Sequence, residues 1–174
     1  MTELTIPTPE AMQKLGATIA RQLRAGDLVL LNGELGAGKT TLTRGLGAQL
    51  GVRGAVTSPT FVLARTHPRA SGAPLVHVDA YRLGSALELD DLDIDFDRSI
   101  VVVEWGAGLL DGITEKWLEV DIVRPGGGPV AESFDGAELF DGNTPFDGAE
   151  PRTVTLTGHG RRWQDLGWVD AARD

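Results

Sequence analysis

One eight-residue stretch constrains the fold of this chain more than any other. Residues 33–40 read Gly-Glu-Leu-Gly-Ala-Gly-Lys-Thr and match G-x-x-x-x-G-K-[ST] at every fixed position. The apolar run "DLVLLN" (27–32) precedes this stretch. Leu42, Leu46 and Leu50 follow it at four-residue spacing. The pattern predicts a buried strand, a glycine-rich loop and an amphipathic helix, in that order.

This context favours a phosphate-binding loop over a flexible turn. Glycines let backbone N–H groups point into the loop, and the helix N-terminus adds partial positive charge. Lys39 can reach the β- and γ-phosphates of a nucleotide, and Thr40 offers a hydroxyl to Mg²⁺. The loop residues predicted to contact the nucleotide are Gly33, Leu35, Gly36, Ala37, Gly38, Lys39, Thr40 and Thr41.

Two acidic residues at predicted strand ends are candidates for the chemistry at this loop. Asp79 ends "PLVHVD" (74–79), and Glu104 ends "SIVVVE" (99–104). Ligands of open α/β sheets bind at the carboxyl edge, so both can face the nucleotide if their strands lie beside the strand before the loop. One would hold Mg²⁺, directly or through water, and the other would orient or deprotonate the attacking water. The residues alone leave this assignment open.

Three further features each admit two interpretations. "TSPTF" (57–61) is either a switch-like loop whose hydroxyls sense a γ-phosphate or a plain turn. Trp105 either stacks on a base or a partner, or packs in the core. His77 shares a strand face with Asp79, and we interpret it as a buried, hydrogen-bonded histidine rather than as part of the site.

Alternating strands and helices predict an α/β fold, a three-layer sandwich of the P-loop type with a mostly parallel central sheet. We expect one domain over residues 1–174. The two segments at 117–123 and 152–158 alternate apolar and polar residues, which predicts an edge or half-exposed position. The other predicted elements are a strand at 60–66 and helices at 8–26, 85–96 and 161–172.

Composition excludes several classes of protein. The chain has no cysteine, so it can form neither disulfides nor thiolate metal sites. Its net charge of −9 argues against a free-standing nucleic-acid binder. His67 and His159 lack partners at zinc-ligand spacing, and no G-x-S-x-G serine elbow occurs. With no export signal and no apolar run of about 20 residues, a cytoplasmic protein without membrane contact is expected.

Residues 126–150 form a low-complexity acidic insertion between two predicted strands. The unit Phe-Asp-Gly occurs three times, at 134–136, 140–142 and 146–148, and the segment contains no Lys or Arg. A segment so rich in glycine and acid buries too little apolar surface to offset its ordering entropy, so we predict disorder. The alternative is a docking segment anchored by its phenylalanines.

Four segments, in this order and spacing, resemble the TsaE family, formerly YjeE, the bacterial ATPases of tRNA threonylcarbamoyladenosine biosynthesis. They are "GELGAGKTT" (33–41), "SPTF" (58–61), "HVDAYR" (77–82) and "VEWG" (103–106). The resemblance runs from about residue 8 to 123 and resumes at 152–163. Many families share the first segment, whereas its combination with H-x-D-x-Y-R and E-W is specific.

The resemblance implies a P-loop ATPase that uses ATP and Mg²⁺. It also implies two larger partner proteins, TsaB-like and TsaD-like, through whose complex the chain would act on tRNA. Lys39 would then contact phosphate, while Thr40 and Glu104 would hold Mg²⁺.

The same resemblance implies roles for residues around the loop. Asp79 would assist hydrolysis, Thr60 would be the switch-like residue, and Trp105 would act beside the site. The positions that would border the adenine are Pro9, Glu10 and Arg152. The insertion at 126–150 departs from the family pattern just before the last of these.

The residues leave two other functions open. A small-molecule kinase of this fold usually carries an arginine-bearing lid, and the long insertion contains no arginine. A non-catalytic nucleotide sensor would use the nucleotide only to order "TSPTF" and create a docking surface.

Overall fold

The strand that precedes the glycine loop lies in the middle of a mixed β-sheet. A computed structural model describes residues 1–59, 63–125 and 150–172. The strands are β1 (Thr2–Ile6), β2 (Leu28–Asn32), β3 (Ala64–His67), β4 (Leu75–Asp79), β5 (Ile100–Glu104), β6 (Trp117–Val123) and β7 (Arg152–His159). The helices are α1 (Pro9–Ala20), α2 (Lys39–Leu50) and α3 (Ala86–Asp90), with 3₁₀ turns at Arg161–Trp163 and Gly167–Ala172.

The order of the strands is β1-β7-β6-β2-β5-β4-β3. The four central strands β6, β2, β5 and β4 are parallel, whereas β3 on one side and β7 and β1 on the other pair antiparallel. This arrangement confirms the predicted α/β fold with a mostly parallel central sheet. It also brings the carboxyl ends of four strands to one edge, where ligands of such sheets bind.

The two faces of the sheet are covered differently. One face packs against α1, α2 and the C-terminal 3₁₀ turns in a core that includes Leu15, Leu42 and Trp163. The opposite face packs against α3 and the segment that follows it, through residues such as Leu89 and Leu110. The two layers fix the ends of β2, β4 and β5, which carry the candidate site.

The first strand was not predicted, and it corrects one detail of the sheet. Leu4 and Ile6 are buried and alternate with exposed residues, but this signal of period two covers only five residues. β1 pairs with β7 and forms the edge. The predicted alternation of β6 and β7 is confirmed, since each alternates between buried and partly exposed residues, yet neither strand is itself the edge.

Three predicted helices differ from the structure. The helix predicted at 85–96 is confirmed only over Ala86–Asp90. α1 begins at the predicted position, capped by Thr8, but ends at Ala20, because the amides of Gln22 and Leu23 bond to carbonyls three residues back instead of four. The C-terminal segment forms two 3₁₀ turns instead of one helix. The Asp165 carboxylate accepts a hydrogen bond from the Gly167 amide, and glycine disfavours a continuous helix at that point.

The insertion at 126–150 falls, except for its last residue, outside the described residues, and its predicted disorder stays a prediction. No helix within the described ranges combines the length and apolarity that crossing a bilayer requires.

Candidate nucleotide-binding site

The glycine loop joins the end of β2 to the start of α2. Gly33, Gly36 and Gly38 have φ values of 148°, 77° and 116°, a region that side chains disfavour. A Cβ on Gly33 would lie 2.7 Å from the carbonyl oxygen of Ile122, so the loop begins tightly packed on β6. Only glycine accommodates this path, which explains the spacing found in the sequence.

The N-terminus of α2 suits an anion. Gly38 occupies the N-cap position, so no side chain there bonds to the amides of the first turn. Apart from the two adjoining residues, no atom of the described residues lies within 4 Å of the point where a Cβ on Gly36 would stand, which leaves room above the loop. Thr40 and Thr41 are half-buried in the first turn, whereas Leu35 at the loop tip is exposed. The backbone amides of this first turn have no side-chain acceptor at the N-cap and face an open loop. Such amides can donate hydrogen bonds to a polyphosphate.

Lys39 lies folded within the loop. Its ammonium donates hydrogen bonds to the carbonyl oxygens of Gly33 at 2.7 Å and Glu34 at 3.0 Å. Burial lowers the pKa of this ammonium below its ordinary value of 10.5, and the negative charges of Glu104, Asp79 and Glu34 partly oppose that shift. A buried cation in the field of nearby carboxylates provides the positive charge that a phosphate requires.

Glu104 and Asp79 end adjacent strands and lie side by side in the sheet register. β5 neighbours β2, and Leu31 is the register partner of Glu104, so this carboxylate lies directly beside the loop strand. β4 is one strand further away. The sequence analysis expected each acid to face the nucleotide if its strand lies next to β2. Only the strand of Glu104 lies next to β2. The sheet nevertheless brings both strand ends to the same edge, where only 3% and 6% of Glu104 and Asp79 are exposed.

The two carboxylates have different hydrogen-bond partners. An oxygen of Glu104 lies 2.8 Å from Nε2 of His77. Asp79 Oδ1 accepts the amide of Tyr81 at 3.0 Å. The backbone amide of Asp79 donates to the carbonyl of Leu63 at 2.8 Å. His77 is thus buried and hydrogen-bonded as predicted, but its partner is a candidate site residue, which the sequence analysis missed.

Trp105 follows Glu104 in a left-handed backbone conformation, with φ of 62°. Its amide donates to the carbonyl of Leu31, and its ring makes an edge-on contact with Tyr81 at 5.6 Å between centroids. The Lys39 ammonium lies over the same ring. A non-glycine residue with positive φ at a candidate site indicates a conformation held by its surroundings. The ring therefore belongs to the loop surroundings and not to the core alone.

Thr60 lies outside the described residues, but both flanks of its loop are defined. The amide of Leu63 donates to the carbonyl of Pro59 at 3.1 Å. Leu63 itself has φ of 64° and contacts the Asp79 amide through its carbonyl. The backbone that follows the proposed switch loop is therefore hydrogen-bonded to the backbone of a candidate catalytic residue.

Pro9, Glu10 and Arg152 lie farther along the same edge of the sheet. Arg152 is the register partner of Ile6, and α1 begins three residues later at Pro9. Arg152 is buried and donates to the carbonyl of Glu150 at 3.0 Å, whereas Glu10 is exposed. The structure thus places these three positions at the same edge, Arg152 two strands away from β2 and the start of α1 beyond the end of β1, three strands away.

Asn32 is a further residue that the sequence analysis missed. It ends β2 directly before Gly33, and its Nδ2 donates to Glu119 and Asp121 of β6, each at 2.9 Å. These bonds hold the start of the loop against β6. The sequence contained one signal for this role, because Asn32 is a polar residue at the end of an otherwise apolar strand.

The donor set fits magnesium better than a metal held by protein alone. No group of three or more His, Cys, Asp or Glu side chains arranged for a metal occurs in the described part of the chain. Magnesium bound with a nucleotide takes one or two protein ligands, and the remaining ligands are phosphate and water. A hydroxyl at Thr40 and a carboxylate at Glu104 are of this type.

Comparisons with known proteins identify the family. The model of the family described as "Threonylcarbamoyl adenosine biosynthesis protein TsaE" matches residues 6–127. The tRNA threonylcarbamoyladenosine biosynthesis protein TsaE of Streptomyces coelicolor is 54% identical over 156 residues, covering 87% of this chain and 93% of the relative. Its namesake in Bacillus subtilis is 33% identical, covering 68% and 75%. The crystal structure of Bacillus subtilis YdiB aligns with a TM-score of 0.67 at 25% identity, covering 99% of this chain and 93% of that one. The chain therefore belongs to the TsaE family.

Proposed function

We propose that this chain is a Mg²⁺-dependent ATP-binding protein and weak ATPase that acts in the cytoplasm. It would work with two larger proteins, TsaB-like and TsaD-like, in the threonylcarbamoylation of tRNA adenosine next to the anticodon. The pathway is taken from the name of the family and of its relatives. The observation that carries the ATPase proposal is the arrangement of Lys39 in the loop with Glu104 and Asp79 at the adjacent strand ends.

Each group has a defined task in this proposal. The amides at the start of α2 and the Lys39 ammonium would hold the phosphates, and these donors stabilise charge that develops during phosphoryl transfer. Thr40 and Glu104 would hold Mg²⁺, which neutralises phosphate charge when bound. Asp79 would accept a hydrogen bond from the attacking water, because it lies beside Glu104 but one strand farther from the loop.

A second function, nucleotide sensing, is favoured by one contact. The carbonyl of Leu63 bonds to the Asp79 amide, so a change at Asp79 would reach the 57–62 loop directly. In this alternative ATP orders the loop for partner binding, and hydrolysis is unnecessary. Equal tRNA modification with ATP and with a non-hydrolysable analogue would favour it.

The test of the proposed function compares two lysine variants. Lys39→Ala should abolish ATP binding by calorimetry and tRNA modification in a reaction containing both partners. Lys116→Ala is the matched control, because Lys116 is exposed just before β6, at the opposite edge of the sheet. Normal ATP binding by Lys39→Ala would overturn the phosphate-loop assignment.

A pull-down with the two partner proteins tests the pathway. We expect ATP to promote capture of the chain, and a deletion of residues 126–150 would show whether the insertion contributes. No association in either nucleotide state would contradict the proposed partners.

A further inference from the structure

The side chains of His77 and Glu104 form a buried pair below the candidate site. Nε2 of His77 lies 2.8 Å from Oε1 of Glu104, and the two side chains are 0% and 4% exposed. β4 and β5 are parallel neighbours, and His77 is the register partner of Val102, two residues before Glu104. Side chains two residues apart share a strand face, so the sheet register itself sets this contact.

The direction of the hydrogen bond follows from the chemistry of the two groups. A carboxylate that holds a metal ion is ionised and only accepts hydrogen bonds, so in the proposed site Nε2 of His77 carries a hydrogen and donates the hydrogen bond to Glu104. The other ring nitrogen, Nδ1, has no hydrogen-bond partner among the described residues. The hydrogen bonding of this ring in the described structure is therefore directed to one carboxylate oxygen.

His77 is paired in register with the exposed Arg65 of β3, whereas its neighbours toward the core on β4 and β5 are apolar. Its register partner Val102 and the preceding same-face residue Leu75 both belong to the core shared with α2. A polar ring placed there loses hydration unless it gains a hydrogen bond. An aliphatic side chain would serve packing alone, so the contact to Glu104 is what distinguishes histidine at this position.

We propose that His77 is a positioning residue for Glu104. By holding Oε1, it restricts the rotamers of the glutamate and leaves Oε2 for the metal. The inference rests on the proposed function, in which Glu104 holds Mg²⁺. Asp79 has other hydrogen-bond partners, the amide of Tyr81 and, through its own amide, Leu63, so the effect is specific to Glu104.

The test measures metal affinity directly, apart from catalysis. Mn²⁺ replaces Mg²⁺, and its binding to the full chain with a non-hydrolysable ATP analogue is titrated by electron paramagnetic resonance. His77→Leu should weaken Mn²⁺ binding by about 10–100-fold, as is typical when the partner of a metal ligand is lost. Binding of the analogue without metal should change by less than about threefold, because the loop and Lys39 remain.

A conservative variant separates positioning from packing. In His77→Gln the amide nitrogen can occupy the place of Nε2 and donate to Glu104. This variant should recover most of the Mn²⁺ affinity, and it also serves if His77→Leu does not fold. His67→Leu is the matched control for loss of a neighbouring buried imidazole: His67 of β3 lies near His77, but its Nε2 has no hydrogen bond to Glu104 or to any other described residue. It should leave Mn²⁺ affinity unchanged.

The outcomes distinguish this inference from the proposed function. If the unmodified chain binds no Mn²⁺ with the analogue, the proposed metal site is wrong, and the inference falls with it. If the unmodified chain binds Mn²⁺ and folded His77→Leu binds it equally well, the positioning role alone is overturned. Equal losses in His77→Gln and His77→Leu would likewise overturn it, since hydrogen bonding would then be irrelevant.

Discussion

The Lys39 ammonium lies 4.1 Å from the centroid of the Trp105 ring. A cation over an indole face is stabilised by the ring quadrupole, by about 0.5–2 kcal/mol. The contact joins the first residue of α2 to the residue that follows β5. It places an aromatic reporter directly on the side chain that is proposed to bind phosphate.

We therefore predict that the fluorescence of Trp105 reports on Lys39. Lys39→Ala should change tryptophan emission even without nucleotide, because the ring loses the neighbouring charge. Adding MgATP to the unmodified chain should change emission as the ammonium turns to phosphate, and Trp105→Phe should remove that change. Trp163→Phe is the control, since Trp163 is buried in the first C-terminal 3₁₀ turn. An ATP response that persists in Trp105→Phe would contradict the prediction.

The two carboxylates should separate in their kinetic effects. Asp79→Asn should lower ATP hydrolysis by about 10² or more, the contribution of a general base, with little change in the Mg²⁺ requirement. Glu104→Gln should raise the Mg²⁺ concentration required and cost roughly 10²-fold in rate, equivalent to about 3 kcal/mol. Steady-state hydrolysis measured over a range of Mg²⁺ concentrations checks both. Identical Mg²⁺ profiles for the two variants would refute the separate roles.

Gly45 should be essential for packing of α1 on α2. A Cβ on Gly45 would lie 2.0 Å from the backbone oxygen of Gln13, too close for two heavy atoms that are not bonded to each other. Gly45→Ala should lower the free energy of unfolding by about 1–3 kcal/mol or more, although alanine gains about 1 kcal/mol in helix propensity. Urea unfolding measures the change. Gly84→Ala is the control, because its Cβ would stand 3.7 Å from the nearest atom, a Glu88 oxygen.

Arg162 and Asp27 should contribute to stability as a pair. Arg162 donates to both oxygens of the Asp27 carboxylate, at 3.2 Å and 2.9 Å, and the carboxylate is 1% exposed. Because Arg162→Ala leaves that charge buried without its cation, we expect a loss of about 2–3 kcal/mol. Arg161→Ala, at the exposed neighbouring position, should change stability by less than about 0.5 kcal/mol. A similar small change in Arg162→Ala would show that water screens the pair.

His67 should make the fold less stable in mild acid. Burial first, and then the nearby His77 and Arg65, lower the pKa of this imidazole below 6.5. The unfolded chain therefore takes up a proton at a higher pH than the native protein. The contribution of neutral His67 to the free energy of unfolding is fully present above pH 6.5. It is lost as the pH falls through the lower native pKa, by at most about 1.4 kcal/mol per pH unit. Thermal unfolding of His67→Gln should show a shallower dependence of stability on pH over that range. If this dependence is unchanged in the variant, a group other than His67 causes the loss of stability in acid.

Local chemistry made the loop and its neighbouring elements predictable. The fixed spacing of Gly33, Gly38 and Lys39, the cap at Thr8 and the apolar runs that became β2 and β5 are all properties of a few adjacent residues. Backbone conformation and strand burial depend on such short segments, so the sequence predicted them directly. Asp79 and Glu104 could be found because each closes an apolar run.

Only the tertiary structure decided which groups meet. The strand order places Glu104 beside the loop strand and Asp79 one strand further, and the β4–β5 register brings His77 under Glu104. The contact of Lys39 with Trp105, the edge strand β1 and the anchoring of Asp27 by Arg162 also join segments distant in the chain. These contacts depend on how the sheet is ordered and how its layers pack. By itself the sequence therefore determined the parts of the candidate site, and the fold determined which of them contact one another.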